Sequence, residues 1–220
     1  DLSRIFSVFF ASLKDGTIKT NEEAKFPLYV GVGTIATVAV IYPIKDYCES
    51  LVHNPAVVGF ILIGTGVLLF VTEIISKNLA KSESIIGWKR AILIGLAQGL
   101  AALPGLSRSG ATIAAGLAMG LDRVTAARYS FLLSIPVILL AGIYHSLELV
   151  SAGEMVGFNW NAIIAGTLVA GLIGYYCIKY FISFISKHSL NVFAFYCWVV
   201  GLGMVIYFSD VHIKVLSLIS

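Results

Sequence analysis

Gln98-Gly-Leu-Ala-Ala-Leu-Pro104-Gly105-Leu-Ser107-Arg108-Ser109-Gly110-Ala111-Thr112 interrupts an otherwise apolar region. Pro104 and the glycines at 105 and 110 break any continuous helix there, and the break carries one guanidinium and three hydroxyls. A charge at membrane depth is costly, so an isolated Arg marks a functional site by default. Irregular backbone at that depth is tolerated only where protein or a watery cavity satisfies it. The stretch therefore predicts a polar pocket built on a broken helix.

The surroundings fit a membrane setting. The chain has 220 residues, 58% hydrophobic and 12% charged, with a mean hydropathy of +0.92. Soluble domains carry about 25% charged residues. The composition describes an all-α, multi-pass integral membrane protein forming a single membrane domain over residues 1–220. Its net charge of +3 is read as loop lysines that set topology, not as a nucleic-acid footprint. Cys48, Cys177 and Cys197 are an odd set without metal-ligand spacing and are read as small buried hydrophobes.

Five runs are long enough to span: 26–44, 56–75, 126–147, 160–185 and 190–208. The segment 1–25 reads as interfacial or loop, 45–53 as a polar loop, and 77–90 as a basic loop. Glu73, Glu148, Arg123 and Arg128 look like boundary or topology residues. Trp88, Trp160 and Trp198 suit aromatic belts. Between the second and third spans lie two short apolar runs, 91–103 and 111–119, of about 20 Å and about 14 Å if helical. Neither crosses a hydrocarbon core of about 30 Å. If residues 91–119 form a re-entrant hairpin, the basic loops collect on one face, as the positive-inside rule requires. A crossing there would put Arg123, Arg128, Lys179 and Lys187 on the other. The expectation is five full spans plus one re-entrant helix–loop–helix.

The break has the donors an anion needs. With Ser109 as N-cap, the N–H groups of Gly110, Ala111 and Thr112 point out of a helix start. Arg108 adds a planar fork matched to phosphate oxygens, and Ser107 and Thr112 add hydroxyls. Gln98, on the first hairpin helix, is read either as a hydrogen-bond partner of the loop backbone or as core packing. No His pair has metal spacing, and no metal ligand is assigned within the chain.

The stretch Gly95-Leu-Ala-Gln98 through Pro104-Gly105-Leu-Ser107-Arg108-Ser109-Gly110-Ala111-Thr112-Ile113 closely resembles the second signature of the undecaprenyl-diphosphatases, the bacitracin-resistance membrane phosphatases. Ala127-Arg-Tyr-Ser130 through Pro136 is also similar to theirs. The resemblance implies a plasma-membrane hydrolase that converts a polyprenyl diphosphate to the monophosphate. This recycles the lipid carrier of cell-wall and glycan synthesis. It also implies an inverted repeat of two re-entrant hairpins, of which this chain carries one. Arg108 would clamp the diphosphate, Ser107 and Thr112 would position the scissile phosphate, and the 109–112 backbone would complete the cradle, with Gln98, Pro104 and Gly105 in support. A Mg²⁺ or Ca²⁺ ion is implied as cofactor. The family's first signature, Glu-Gly-x-x-Glu-Phe-x-Pro-x-Ser-Ser-x-Gly-His, does not occur in residues 1–220. Its carboxylates are expected upstream of Asp1, on a front part that the chain lacks. Tyr196 is followed by Cys197 where many members have Arg. Partners are the lipid substrate and the bilayer, with self-association as a further expectation. The rival reading is a lipid-phosphate transporter or flippase, or an inactive homologue, on the same plan.

Overall fold

The structure, a computed structural model, describes residues 2–18, 20–78, 83–153 and 159–219, and side chains except those of 2–4, 6 and 210–219. The charge readings at Arg4, Lys19, Lys81, Asp210, His212 and Lys214 fall outside the described side chains.

The described chain is helical: α1 (Leu2–Lys14), α2 (Glu22–Val52), α3 (Pro55–Asn78), α4 (Gly87–Leu100), α5 (Arg108–Ala118), α6 (Arg123–Ser151), α7 (Trp160–Ile185) and α8 (Asn191–Ile219). Five of these, α2, α3, α6, α7 and α8, are long and apolar enough to cross a membrane. The remaining three, α1, α4 and α5, run 13, 14 and 11 residues.

The end of α2 differs from the sequence reading. Residues 45–53 were expected as a loop, but α2 continues to Val52. Hydropathy marks where a helix leaves the apolar layer, not where its backbone hydrogen bonds stop, and polar Lys45, Asp46, Glu49 and Ser50 extend the helix into water. The true stop is Asn54-Pro55. Asn54 Oδ1 accepts from the Val57 N–H at 3.3 Å, and Pro55 sits at the first helical position, where its missing N–H costs nothing. Within residues 1–25, read as interfacial or loop, Leu2–Lys14 form an amphipathic helix, α1, which fits the interfacial reading.

Small residues set the closest helix crossings, as in membrane bundles generally. In α2 and α4, Gly33 and Gly95 touch backbone to backbone; a Cβ on Gly95 would run into the Gly33 carbonyl. Thr37 Oγ1 lies 2.9 Å from the Gly95 carbonyl across the same seam. In α3 and α8, a Cβ on Gly59 would lie 2.9 Å from the Gly201 carbonyl. Gly64 has open space around it, and the seam runs through Gly59 and Gly66.

The helices α4 and α5 fold back on each other. Their outer ends are tied by backbone: Glu83 N–H donates to Gly120 O and Asp122 N–H to Glu83 O, both at 2.9 Å. Arg90, read as a loop charge, sits in the first turn of α4. Its Nη1 pairs with Glu83 Oε2 at 2.6 Å and its Nε donates to Met119 O at 3.2 Å. The 101–107 turn forms the opposite, inner end. The core beneath the pair is made by Ile94, Ile113, Leu117, Tyr129 and Leu133, all essentially inaccessible.

Candidate functional site at the start of α5

The 101–107 turn is built from successive tight turns, Ala102 N–H to Gly99 O, Leu103 N–H to Leu100 O and Leu106 N–H to Leu103 O. Gly105 takes φ +92°, a left-handed value open to glycine at little cost. It also lies against the Val58 carbonyl of α3, with no room for a side chain. Pro104 ends the α4 direction, and Gly105 lets the chain turn against α3.

Thr65 of α3 holds this turn. Its hydroxyl donates to Gly105 O at 3.0 Å and accepts from the Ser107 N–H at 3.3 Å. Thr65 is fully buried. The sequence reading missed it as a site residue. The available signal was a hydroxyl between two glycines, Gly64-Thr65-Gly66, inside an apolar span.

The helix cap is Ser107, not Ser109. Ser107 has extended backbone, and its Oγ accepts from the Gly110 N–H at 3.1 Å. The Ala111 N–H is used by Ser107 O at 2.8 Å. The outward N–H groups are therefore those of Arg108 and Ser109, the first two helical residues, and not those of Gly110, Ala111 and Thr112. First-turn N–H groups have no intrahelical acceptor. The reason for the shift is tertiary: Thr65 fixes the Ser107 N–H and so fixes where the helix begins.

Around this start, Arg108 is exposed, and no carboxylate pairs with it among the described residues. Ser109 is partly exposed beside it. The Ser107 hydroxyl is an acceptor toward Gly110, so its own proton remains available to a ligand. A helix N-terminus, an unneutralised guanidinium and two hydroxyls form a site whose chemistry favours a multiply charged anion.

Two expected participants are elsewhere. Thr112 is fully buried. Its hydroxyl lies 2.6 Å from Ser130 Oγ of α6 and 2.9 Å from the Arg108 carbonyl. It faces the core and braces α5 against α6. Gln98 is 2% exposed and reaches Thr37 Oγ1 at 3.4 Å and Leu133 O at 3.5 Å, not the turn backbone. Both lie on the core faces of their helices, which a single sequence does not distinguish from the open faces.

Glu73 also departs from expectation. Read as a boundary residue, it is 1% exposed. Its Oε1 pairs with Arg123 Nη2 at 2.7 Å.

No group of three or more His, Cys, Asp or Glu side chains capable of holding a metal ion comes together among the described residues. The donor set of the α5 start is cationic and hydroxylic, which suits an anion and does not suit a divalent cation. The described residues do not make a metal cage.

Relatives match this chain over most of its length. An undecaprenyl-diphosphatase of Halothermothrix orenii is 39% identical over 202 residues, 92% of this chain and 77% of the relative. One of Methanothermobacter thermautotrophicus is 40% identical over 173 residues, 78% of this chain and 94% of the relative. One of Nitrosococcus oceani is 37% identical over 201 residues, 91% of this chain and 74% of the relative. The family model described as bacitracin resistance protein BacA matches residues 1–203. The chain belongs to the bacitracin resistance protein BacA family.

Proposed function

We propose that this multi-pass protein of the plasma membrane hydrolyses undecaprenyl diphosphate to undecaprenyl phosphate and inorganic phosphate, holding the diphosphate at the start of α5. The carrying observation is the pairing of the exposed, uncompensated Arg108 with a helix N-terminus, in a chain whose relatives at 37–41% identity are undecaprenyl-diphosphatases. Arg108 clamps phosphate oxygens through its fork. The Arg108 and Ser109 N–H groups and the Ser107 and Ser109 hydroxyls complete the cradle. Gly110 leaves room for the Ser107 cap, since a Cβ there would lie 2.9 Å from Ser107 Oγ. Ala111 continues the first turn. Thr112, Gln98, Pro104 and Gly105 act through the shape of the hairpin. Phosphoryl transfer depends mainly on such positioning and charge neutralisation.

In the proposed topology the hairpin enters and leaves the bilayer on one side. Support comes from the backbone closure of Glu83 on Gly120 and Asp122, and from Arg90 and Arg123 at that same end. Cysteines placed at Ser84 and Asp122 should then react with a membrane-impermeant thiol reagent from the same face of oriented vesicles. Labelling from opposite faces would refute it.

The enzymatic reading is tested with purified full-length protein in detergent. Phosphate release from undecaprenyl diphosphate is expected. In liposomes, lipid movement without phosphate release would replace hydrolysis by transport. A Mg²⁺ or Ca²⁺ requirement is retained as a proposal, with ligands outside the described residues. Chelation with EDTA should stop turnover and Mg²⁺ or Ca²⁺ should restore it; full activity in EDTA would remove the ion from the scheme.

A further inference from the structure

We infer that Glu73 is a positioning residue for the phosphate cradle, acting from the far end of the hairpin; this rests on the reading of Arg108 as the diphosphate clamp. One buried carboxylate on α3 gathers two other segments. Glu73 Oε1 takes Arg123 Nη2 at 2.7 Å, at the point where the hairpin leads into α6. Lys77, one turn along α3, stands 3.5 Å from the same oxygen. Glu73 Oε2 takes the Leu190 N–H at 3.2 Å, in the turn before α8. Arg123 Nη1 is buried without a hydrogen-bond partner. Among the described residues, Glu73 is thus the charge partner that holds this guanidinium.

A buried ion pair is poor evidence for stability, because an apolar replacement of equal size is often as good. What such a pair does supply here is register. The carboxylate accepts from fixed directions, so it sets how far the hairpin lies along α3. The same helix grips the other end of the hairpin. Thr65 holds Gly105 O and the Ser107 N–H, and Glu73 holds Arg123. The two α3 residues are eight positions apart, about 12 Å along the helix. Helix α3 therefore fixes the hairpin at its tip and at its base, and α5 runs between these anchors with Arg108 at the tip end. Removing the base anchor frees the far end of α5, so that the helix can tilt about the tip that Thr65 holds. That misaligns Arg108 while leaving the cradle's own atoms intact.

The experiment is steady-state phosphate release by full-length protein, with the folded fraction checked by size exclusion in detergent. Glu73→Gln keeps the shape and removes the charge; about a tenfold fall in kcat with KM changed less than threefold is expected, because small misplacements cost rate more than binding. Glu73→Asp should recover part of that loss. Thr65→Val should give a similar fall. The double variant should fall far short of the hundredfold product, because both residues hold one rigid body; residues at this separation that act independently give multiplying effects. Should Glu73→Gln not fold, Arg123→Lys replaces it in the same cycle. Wild-type kcat in Glu73→Gln, a fully multiplicative double variant, or losses that track only the folded fraction would each overturn the inference. Arg108→Ala runs alongside. If it keeps activity, the clamp reading fails; if it loses activity while Glu73→Gln does not, only the positioning role fails.

Discussion

Arg108→Ala should lower phosphate release from undecaprenyl diphosphate by about 10²–10³-fold, equivalent to about 3–4 kcal/mol of transition-state stabilisation. The magnitude is that of removing one preorganised donor aimed at developing charge. Arg108 is the only guanidinium on α5, and no described carboxylate neutralises it. Its side chain is exposed and makes no described hydrogen bond, so truncation removes no packing that the fold needs. The variant should elute and melt like the parent protein. Arg108→Lys restores the charge without the planar fork and should recover only part of the rate, since Lys cannot grip two oxygens in parallel. Ser107→Ala should cost less in rate and more in stability. It removes the capping oxygen that accepts from the Gly110 N–H, and such caps are worth about 1 kcal/mol. Turnover of Arg108→Ala within about threefold of the parent would dismiss Arg108 as the clamp.

Different physical signals made different parts of this protein legible. The five spans are sustained apolar runs, and hydropathy reports those directly. The break at Pro104 and Gly105 is equally plain, because both residues impose backbone geometry regardless of context. Helix ends were less legible. The last turns of α2 carry Lys45, Asp46 and Glu49, which look like a loop by composition but continue as helix in water. The start of α5 was misplaced by two residues because Ser107 and Ser109 are equally good caps by type. The choice is made by Thr65, 42 positions earlier in the chain. The orientation of Thr112 was hidden for a similar reason: a hydroxyl five residues after the cap can face ligand or core, and Ser130 of α6 draws it inward. Glu73 was the largest miss. Its partners Arg123 and Leu190 lie 50 and 117 positions away, and a carboxylate near the end of a span has the same local appearance whether it meets water or a buried guanidinium.

Gly95→Val should be the most damaging single substitution for the fold itself. At this crossing α4 meets α2 backbone to backbone: an added Cβ would sit 2.8 Å from Gly33 Cα and 2.9 Å from the Gly33 carbonyl carbon, and closer still to its oxygen. A flexible side chain could swing away, but helix backbone cannot, so the helices must separate. Separation then breaks the contact of Thr37 Oγ1 with Gly95 O and the reach of Gln98 to Thr37, leaving Thr37 only Gly33 O on its own helix and Gln98 only Leu133 O. Overpacking alone costs about 1–3 kcal/mol, and each lost buried hydrogen bond adds about 0.5–1.5 kcal/mol. Against a total stability of about 5–15 kcal/mol, this should lower the melting midpoint by 10 °C or more, at about 2–4 °C per kcal/mol for a chain of this size. Gly31→Val is the matched control. It lies on α2 two residues before Gly33, yet nothing stands within 4 Å of its added Cβ. Valine also has a slightly better helix propensity than glycine, so Gly31→Val should melt at or just above the parent. Thermal unfolding of both variants in one detergent separates the two cases. Equal midpoints would show that the α2–α4 seam tolerates expansion and that close glycine contact is not what holds α4 beside α2.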